Sequence, residues 1–259
     1  MAARKSQTLA WLYTVLVYVF MYLPIVVVIV FSFNKGRFAI WTEFDLKWYK
    51  LMLGNKEIIN AAINSLILAV SASTIATIFG SVMALVLTRY RFVGRHILNG
   101  SVYLLTVSPD IVMGISLLII FILVKIPLGF TTLLISHVVL CTPFVVVTLM
   151  GRIQKLDEDL VAAARDLGAS EVKAFMHVVF PLLLPAVAAG WLLSFTLSMD
   201  DVLISFFVQG TGFEILPLRI YSMVKLGVKP DINALSTIMF TITVILVLAA
   251  QFLLRTRRS

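Results

Sequence analysis

Six long runs without lysine or arginine constrain the fold of this chain more than any other feature. Four of the runs carry no charged residue, and they cover residues 9–33, 61–88, 178–199 and 232–254. Each of the other two carries a single acidic or histidine residue, Asp110 in 97–124 and His137 in 126–151. Every run exceeds the roughly 20 residues that a helix needs to cross the hydrocarbon of a bilayer. The sequence therefore predicts six membrane-spanning helices.

The composition is that of a chain whose solvent is lipid. Hydrophobic residues make up 61% of the 259 residues and charged residues only 13%, far from the usage of soluble domains. The strict alternation of a membrane barrel does not occur in the sequence, so helices must satisfy the backbone in lipid. We predict an all-α, polytopic membrane protein in which residues 1–259 form one domain.

Basic residues predict the orientation of the chain. The first run is longer than the apolar stretch of a signal peptide, so we expect it to remain as the first span. Basic clusters at residues 89–95 and 255–258 adjoin the ends of runs, which is typical of the cytoplasmic side. Both termini and the polar loop at 151–181 then lie inside. The net charge of +8 fits orientation and anionic lipid better than nucleic acid.

The sequence contains no motif of an enzyme or of a metal site. No phosphate-binding G-x-x-x-x-G-K-[ST] loop is found, so any ATP hydrolysis must belong to a separate subunit. His96, His137 and His177 are far apart in the predicted topology, which argues against a metal site. Cys141 is the only cysteine, which excludes an intrachain disulfide. We expect no cofactor in this chain.

Acidic residues at membrane depth are the first candidate functional groups. Asp110 follows Pro109 near the middle of the third run, where we expect a break or kink. Asp200 and Asp201 end the fifth run on the outer side. A charge within a span costs about 2.5–3.5 kcal/mol on insertion scales, so such groups usually face a polar cavity or a partner. A cation path is one interpretation. The alternative is that Asp110 caps a helix and the pair lies at the headgroups.

An aromatic group in the predicted outer connection is the second candidate. Trp41, Trp48 and Tyr49 lie in the connection at residues 34–60. Trp48 either faces the path and contacts a cationic substrate through its ring, or all three anchor the chain at the bilayer interface. The sequence leaves both interpretations open.

The loop at residues 151–181 predicts two amphipathic helices around a tight turn. Gly168 suits the end of the first helix, and Ser170 suits the cap of the second, which we expect to end before Pro181. The loop resembles the EAA loop of ABC importer permeases, Glu-Ala-Ala, three residues, Gly, nine residues, Ile-x-Leu-Pro. The matching positions include Ala163, Ala164, Gly168 and Pro181. The position of the family's glutamate holds Ala162, and Glu158 lies one turn earlier. An ordinary amphipathic loop is the alternative.

The resemblance extends beyond this loop. The segments RFAIWTEFDLKWY, SPDIVMGISLL, SFTLSMDDV and LPLRIYSMVKLGVKPDINALSTI look like those of permeases from spermidine/putrescine ABC importers. The resemblance implies a type I ABC importer permease fold in the bacterial inner membrane. It also implies a second homologous permease subunit, an ATPase homodimer that binds ATP and Mg, and a periplasmic polyamine-binding protein.

The resemblance also implies roles for individual residues. The positions that the family associates with polyamine uptake are Trp48, Asp110, Glu171, Asp200 and Asp201. The positions implied to couple to the ATPase are Ala163, Ala164, Gly168, Glu171 and Pro181. Other readings are an importer of another cation such as ferric iron, an ion-coupled carrier, which would usually show inverted repeats, and a membrane scaffold that transports nothing.

Overall fold

The computed structural model is helical along most of the chain that it describes. It describes the backbone at residues 2–36, 40–157, 159–225 and 230–256, and the side-chain surroundings at 10–36, 40–157, 159–225 and 230–245. In these residues the only β feature is an isolated bridge between Asn34 and Phe44. The predicted all-α class is confirmed.

Twelve α-helices and one π-helical turn form the described part of the chain. In chain order they are α1 Ala2–Ser32, α2 Lys47–Leu53, α3 Lys56–Arg89, α4 Arg95–Val107, α5 Asp110–Leu123, α6 Phe130–Ile153, α7 Asp159–Asp166, α8 Glu171–Ala174, the π turn Phe175–Val179, α9 Phe180–Asp200, α10 Leu203–Val208, α11 Leu216–Lys225 and α12 Pro230–Thr256.

Among the described residues, four helical segments are long and apolar enough to span a membrane. They are Ala10–Ser32, Lys56–Arg89, Phe130–Ile153 and Glu171–Asp200. The third predicted span is instead a pair of helices, α4 and α5, bent by 115°, and counting this pair as one span gives five. The sixth run corresponds to α12, whose side chains are described only as far as Ile245. The sixth span therefore stays a prediction.

The break between α4 and α5 has a backbone cause. Ser108 (φ −63°, ψ 136°) and Pro109 (φ −62°, ψ 132°) are both extended. Proline lacks a backbone donor and disfavours the helical conformation in the residue before it. The predicted break is confirmed. The bend is sharper than an ordinary proline kink because two consecutive residues leave the helical conformation.

The chain divides into two compact units, residues 60–219 and residues 1–59 with 220–259, and each is described by itself. In the first unit, α6 and α9 pack antiparallel along their length. The contacts recur every one or two turns, and they are His137–Ser198, Cys141–Ser194, Val145–Gly190 and Arg152–Leu182. This register brings residues 30 or more positions apart in sequence into contact, and it positions the end of α9.

Small residues allow the other helices of this unit to approach closely. A β-carbon on Gly80 would lie 2.7 Å from the Val145 Cβ, so α3 meets α6 there. A β-carbon on Gly114 would lie 2.8 Å from Phe207 and 3.2 Å from the Ile204 Cα, so α5 meets α10. Close approach of this kind is how helices associate in lipid, where apolar burial gives little driving force.

In the second unit, α1 packs against α12, and the connection after α1 is organised by Asn34. The Asn34 Oδ1 accepts hydrogen bonds from the Gly36 and Thr42 backbone N–H groups at 3.3 and 3.0 Å and from the Thr42 hydroxyl at 3.1 Å. Its Nδ2 donates to the Ile40 carbonyl at 2.9 Å. One buried side chain thus substitutes for regular secondary structure in this connection.

The second helix of the polar loop does not end before Pro181 as expected. Instead α8, the π turn and α9 form one continuous segment, Glu171–Asp200. The Phe180 backbone N–H donates to the Phe175 carbonyl, five residues back. A new α-helix begins at Phe180, so Pro181 stands in its first turn, where a missing donor costs nothing. The prediction was wrong because the π turn removes the conflict with proline.

The segment between α9 and α12 contains no candidate membrane span in its described residues, 201–225. Within the described residues it contains only the short helices α10 and α11. The Ser65 hydroxyl accepts a hydrogen bond from the Leu216 backbone N–H at 2.7 Å, and the Asn64 amide donates to the Glu214 carbonyl at 3.0 Å. The start of α3 therefore holds the start of α11.

The contact at Gly80 yields a stability prediction. Gly80→Ala should lower the free energy of unfolding in detergent by about 1–3 kcal/mol, because the new methyl group overlaps Val145. Cys141 is fully buried, so its modification by a thiol-reactive dye during heating reports the loss of packing around α6. Gly100→Ala is the matched control, since nothing lies within 4 Å of a β-carbon there. Equal melting of both variants would contradict this view of the α3–α6 contact.

Candidate functional site

The end of α9 separates the two adjacent acids. Asp200 is the last residue of the helix, and Asp201 is extended (φ −68°, ψ 124°). The Asp201 side chain is buried at 4% relative exposure. Its Oδ1 accepts the Ile204 N–H at 3.2 Å, and its Oδ2 accepts the Ser205 N–H at 2.8 Å and the Ser205 hydroxyl at 2.7 Å. Asp201 therefore caps α10.

His137 connects this cap to α6. The imidazole is fully buried. Its Nδ1 lies 2.7 Å from the Ser198 Oγ, and its Nε2 lies 2.9 Å from the Ser205 Oγ and 3.6 Å from the Asp201 Oδ2. Sequence reasoning considered His137 only as a metal ligand and missed this network. The signal was present, because His137 is the one acidic or basic residue in the run at 126–151.

Asp200 has a different environment from its neighbour. Its side chain is exposed, and no hydrogen bond or ion pair of its carboxylate is found within the part of the chain that the structure describes. The two acids do not share one helix, because α9 ends between them. Of the two acids, Asp200 presents its charge at the surface and Asp201 directs both oxygens into the protein.

Asp110 is exposed at the first position of α5, directly after the break at Pro109. A carboxylate there is favoured by the positive end of the helix dipole. Asp110 lies one turn before Gly114, at which α5 contacts α10. The structure thus places Asp110 and Asp200 each next to a helix break within the same unit, and each within a few residues of the α5–α10 contact.

Trp48 belongs to the other unit and is buried at 7% relative exposure. Its indole N–H donates to the Asn34 carbonyl at 2.8 Å, and the Lys47 ammonium lies 5.4 Å from the ring centroid. A cation of the chain itself therefore occupies the ring that was expected to contact a cationic substrate. In this conformation Trp48 is buried and hydrogen-bonded within its own unit, as expected of a residue that stabilises the fold.

The turn of the polar loop is built as the sequence predicts. Gly168 has φ +85°, a conformation that glycine adopts without strain. Its N–H donates to the Arg165 carbonyl at 2.8 Å, and the Ala169 N–H donates to the Ala164 carbonyl at 3.1 Å, which is a Schellman cap. The Ser170 Oγ accepts the Lys173 N–H at 3.4 Å. Two helical segments therefore meet at a defined turn.

The surface of this loop combines exposed charges with exposed apolar groups. Arg165 and Glu171 form an ion pair of 3.3 Å across the turn, with both side chains largely in solvent. Ala163 and Pro181 are exposed and Ala164 is half-buried. Large apolar side chains are also uncovered, and they are Leu167, Val172 and Met176. Glu158, the acid nearest the missing family glutamate, lies outside the described residues, as do the side chains of the basic cluster at 255–258.

The chain matches, over residues 76–257, the family described as the inner membrane component of binding-protein-dependent transport systems. It belongs to this family. The match begins within α3 and includes the polar loop with its Gly168 turn. The protein is thus a transport subunit of the inner membrane rather than an enzyme, and the described residues contain no group of three or more potential ligands placed to hold a metal ion.

Individual relatives of this permease are polyamine permeases. The chain is 50% identical over 240 residues to the spermidine/putrescine transport system permease protein PotC of Escherichia coli strain K12, which covers 92% of this chain and 91% of that protein. It is 37% identical over 232 residues to the putrescine transport system permease protein PotI of the same strain, which covers 85% of this chain and 82% of that protein.

Solved structures confirm the predicted importer-permease fold. A chain of a bacterial ABC transporter for the import of alginate matches with a TM-score of 0.76 at 14% identity, over 98% of this chain and 96% of that one. A chain of the MetNI methionine ABC transporter in an inward-facing conformation matches with a TM-score of 0.61 at 14% identity, over 78% and 98%. At such identities the likeness shows the fold alone.

The contrast between the two acids yields a prediction for the permease. Asp201→Ala should lower the free energy of unfolding by about 1–2 kcal/mol, because it leaves the N–H groups at the start of α10 without their acceptor. Asp200→Ala should change it by less than about 0.5 kcal/mol, as at other exposed sites. Thermal exposure of Cys141 to a thiol dye measures both. Equal effects would show that the cap is not what Asp201 supplies.

Proposed function

We propose that this chain is a permease subunit of an ATP-driven importer of polyamines such as spermidine and putrescine. The observation that carries the proposal is the 50% identity, over 92% of the chain, to a spermidine/putrescine permease. The match over 92% of the chain spans the segments around Asp110 and Asp200 as well as the polar loop. The proposal therefore concerns both the cargo and the coupling to ATP.

The electrostatics of the chain suits a cationic cargo. Asp110 and Asp200 present carboxylates at helix breaks, and no lysine or arginine interrupts the predicted spans. A carboxylate about 4 Å from an ammonium group contributes roughly 4 kcal/mol at an effective dielectric constant of 20, before desolvation is subtracted. Separate acids of this kind offset the loss of water by the cargo, and no single site holds it too tightly.

Asp201 and Trp48 have less direct roles in this proposal. Both Asp201 oxygens are engaged in capping α10, so we assign it to holding the break beside Asp200 in the conformation described. Trp48 can receive a substrate ammonium over its ring only when Lys47 moves away, because the two cations compete for one face. We therefore keep both residues in the proposed path, Asp201 as a structural support and Trp48 as a contact that requires movement of Lys47.

The proposed partners supply what this chain does not contain. An ATPase homodimer would bind ATP and Mg, a second homologous permease would complete the path, and a periplasmic polyamine-binding protein would deliver the cargo. We assign the docking of the ATPase to the polar loop, with both termini on the same cytoplasmic side. The residues assigned to this surface are Ala163, Ala164, Gly168, Glu171 and Pro181, next to the exposed Leu167 and Val172.

The cargo proposal predicts the effect of removing charge without changing size. Asp110→Asn and Asp200→Asn should each reduce polyamine uptake about tenfold or more in vesicles that contain the assembled complex, the effect of losing roughly 1.4 kcal/mol. Uptake of radiolabelled spermidine and putrescine measures it, with immunoblots as the control for assembly. Near-normal uptake in both variants would remove the acidic path from the proposal and leave the family assignment unaffected.

The coupling proposal predicts a separation of ATP hydrolysis from transport. Ala164→Glu places a charged side chain on the loop surface, and Gly168→Pro is incompatible with φ +85°. Each variant should abolish polyamine-stimulated hydrolysis or release the ATPase, while the permease stays in the membrane. Gly151→Ala is the matched control, because a β-carbon there meets nothing within 4 Å. Full stimulation in both loop variants would contradict the assigned docking surface.

A further inference from the structure

The hydrogen bonds around His137 have a definite direction. Ser205 has one hydroxyl proton and two close neighbours, the Asp201 Oδ2 at 2.7 Å and the His137 Nε2 at 2.9 Å. A carboxylate only accepts, so the proton goes to Asp201 and the Nε2 must carry the hydrogen that the Ser205 Oγ receives. In a neutral ring the Nδ1 then accepts from the Ser198 hydroxyl at 2.7 Å. The row of donors runs from Ser198 through His137 and Ser205 to Asp201.

This row joins three elements through one ring. Ser198 lies in the last turn of α9, Ser205 lies in α10, and His137 projects from α6. Both ring nitrogens are engaged and the side chain is fully buried, so the imidazole has no group left for a substrate. What it can do is fix the direction in which the chain leaves α9. That direction determines the location of Asp200, two residues beyond Ser198.

We propose that His137 is a positioning residue that fixes the break between α9 and α10 and so holds the Asp200 carboxylate where a cationic cargo meets it. The inference rests on the proposed role of Asp200 in polyamine uptake. Asp200 is exposed and the described residues give its carboxylate no partner, so the backbone alone places it. Groups that bind a passing ligand act best when the surrounding residues preorganise them.

Imidazole suits this role because its two nitrogens point in different directions. One planar side chain can accept from a hydroxyl on α9 and donate to a hydroxyl on α10 at the same time. The amide nitrogen of glutamine can donate to Ser205 as the Nε2 does. The same glutamine side chain does not also provide the acceptor that the Nδ1 presents to Ser198. Replacing His137 with side chains that keep one or neither of these hydrogen bonds therefore distinguishes a positioning role from a role in packing alone.

The test uses the complete importer in proteoliposomes and measures KM and the maximal rate for spermidine uptake. His137→Phe keeps a planar ring and removes both nitrogens. We expect it to fold, because Ser205 keeps Asp201 and Ser198 can bond to a carbonyl of its own helix. Its KM should rise about five- to tenfold, and His137→Gln should give an intermediate value. Ser136→Ala, also fully buried on α6, should leave the KM unchanged as the matched control.

A double-mutant cycle with Asp200→Asn decides whether the effect acts through Asp200. In that background His137→Phe should raise the KM by less than about twofold, because no charge remains to be positioned. The same full effect in both backgrounds would overturn the inference, as would an unchanged KM in His137→Phe alone. Normal uptake in Asp200→Asn by itself would instead overturn the proposed role of Asp200, and the inference with it.

A distance measurement provides a readout that does not depend on transport. Spin labels at Asp200→Cys and Ile135→Cys, in a Cys141→Ala background, report the separation between the end of α9 and the exposed face of α6. A narrow distribution should broaden when His137→Phe is added and should recover partly with His137→Gln. Equally narrow distributions in all three proteins would overturn the positioning role.

Discussion

A helix that begins within an apolar environment has backbone N–H groups that lipid cannot satisfy, and this constraint governs the most informative part of the permease. The chain leaves the helical conformation after Asp200, and the next side chain accepts the N–H groups that open α10. Without that acceptor, the break would leave these donors unpaired, at the cost of about 1–2 kcal/mol that the loss of a helix cap entails. The exposed acid and the break beside it therefore depend on the buried acid.

Sequence patterns predicted the features that depend on local chemistry. Run lengths indicated helices, Pro109 indicated a break, and Gly168 indicated a turn that ends a helix, and the structure confirms these features. Sequence patterns did not predict features that depend on a contact with a residue distant in the sequence or on an unusual backbone geometry. The partner of His137 at Ser198 is 61 residues away, and the continuous segment from α8 into α9 depends on a π turn, for which proline spacing gives no signal.

The candidate site shows the same division. Residue type identified both acids as functional candidates, since charge at membrane depth is rare. Residue type did not separate Asp200 from Asp201, because exposure and burial of adjacent residues are decided by where α9 ends. Trp48 was a candidate because its ring could contact a cation, but the ammonium group of the adjacent Lys47 lies over that ring. The sequence pattern did not predict this contact, because a lysine side chain is flexible and can adopt many positions. The residue types indicated the candidate site, but the structure was needed to separate the exposed acid from the buried residues.

The π turn at residues 175–179 amounts to one surplus residue in an otherwise regular helix. Each residue of an α-helix turns the chain by about 100°, so the surplus rotates everything before it by that angle relative to α9. The direction of the exposed face formed by Leu167 and Val172 therefore depends on the one extra residue in the π turn. Deleting one residue there would keep every side chain of the loop and point its surface in another direction.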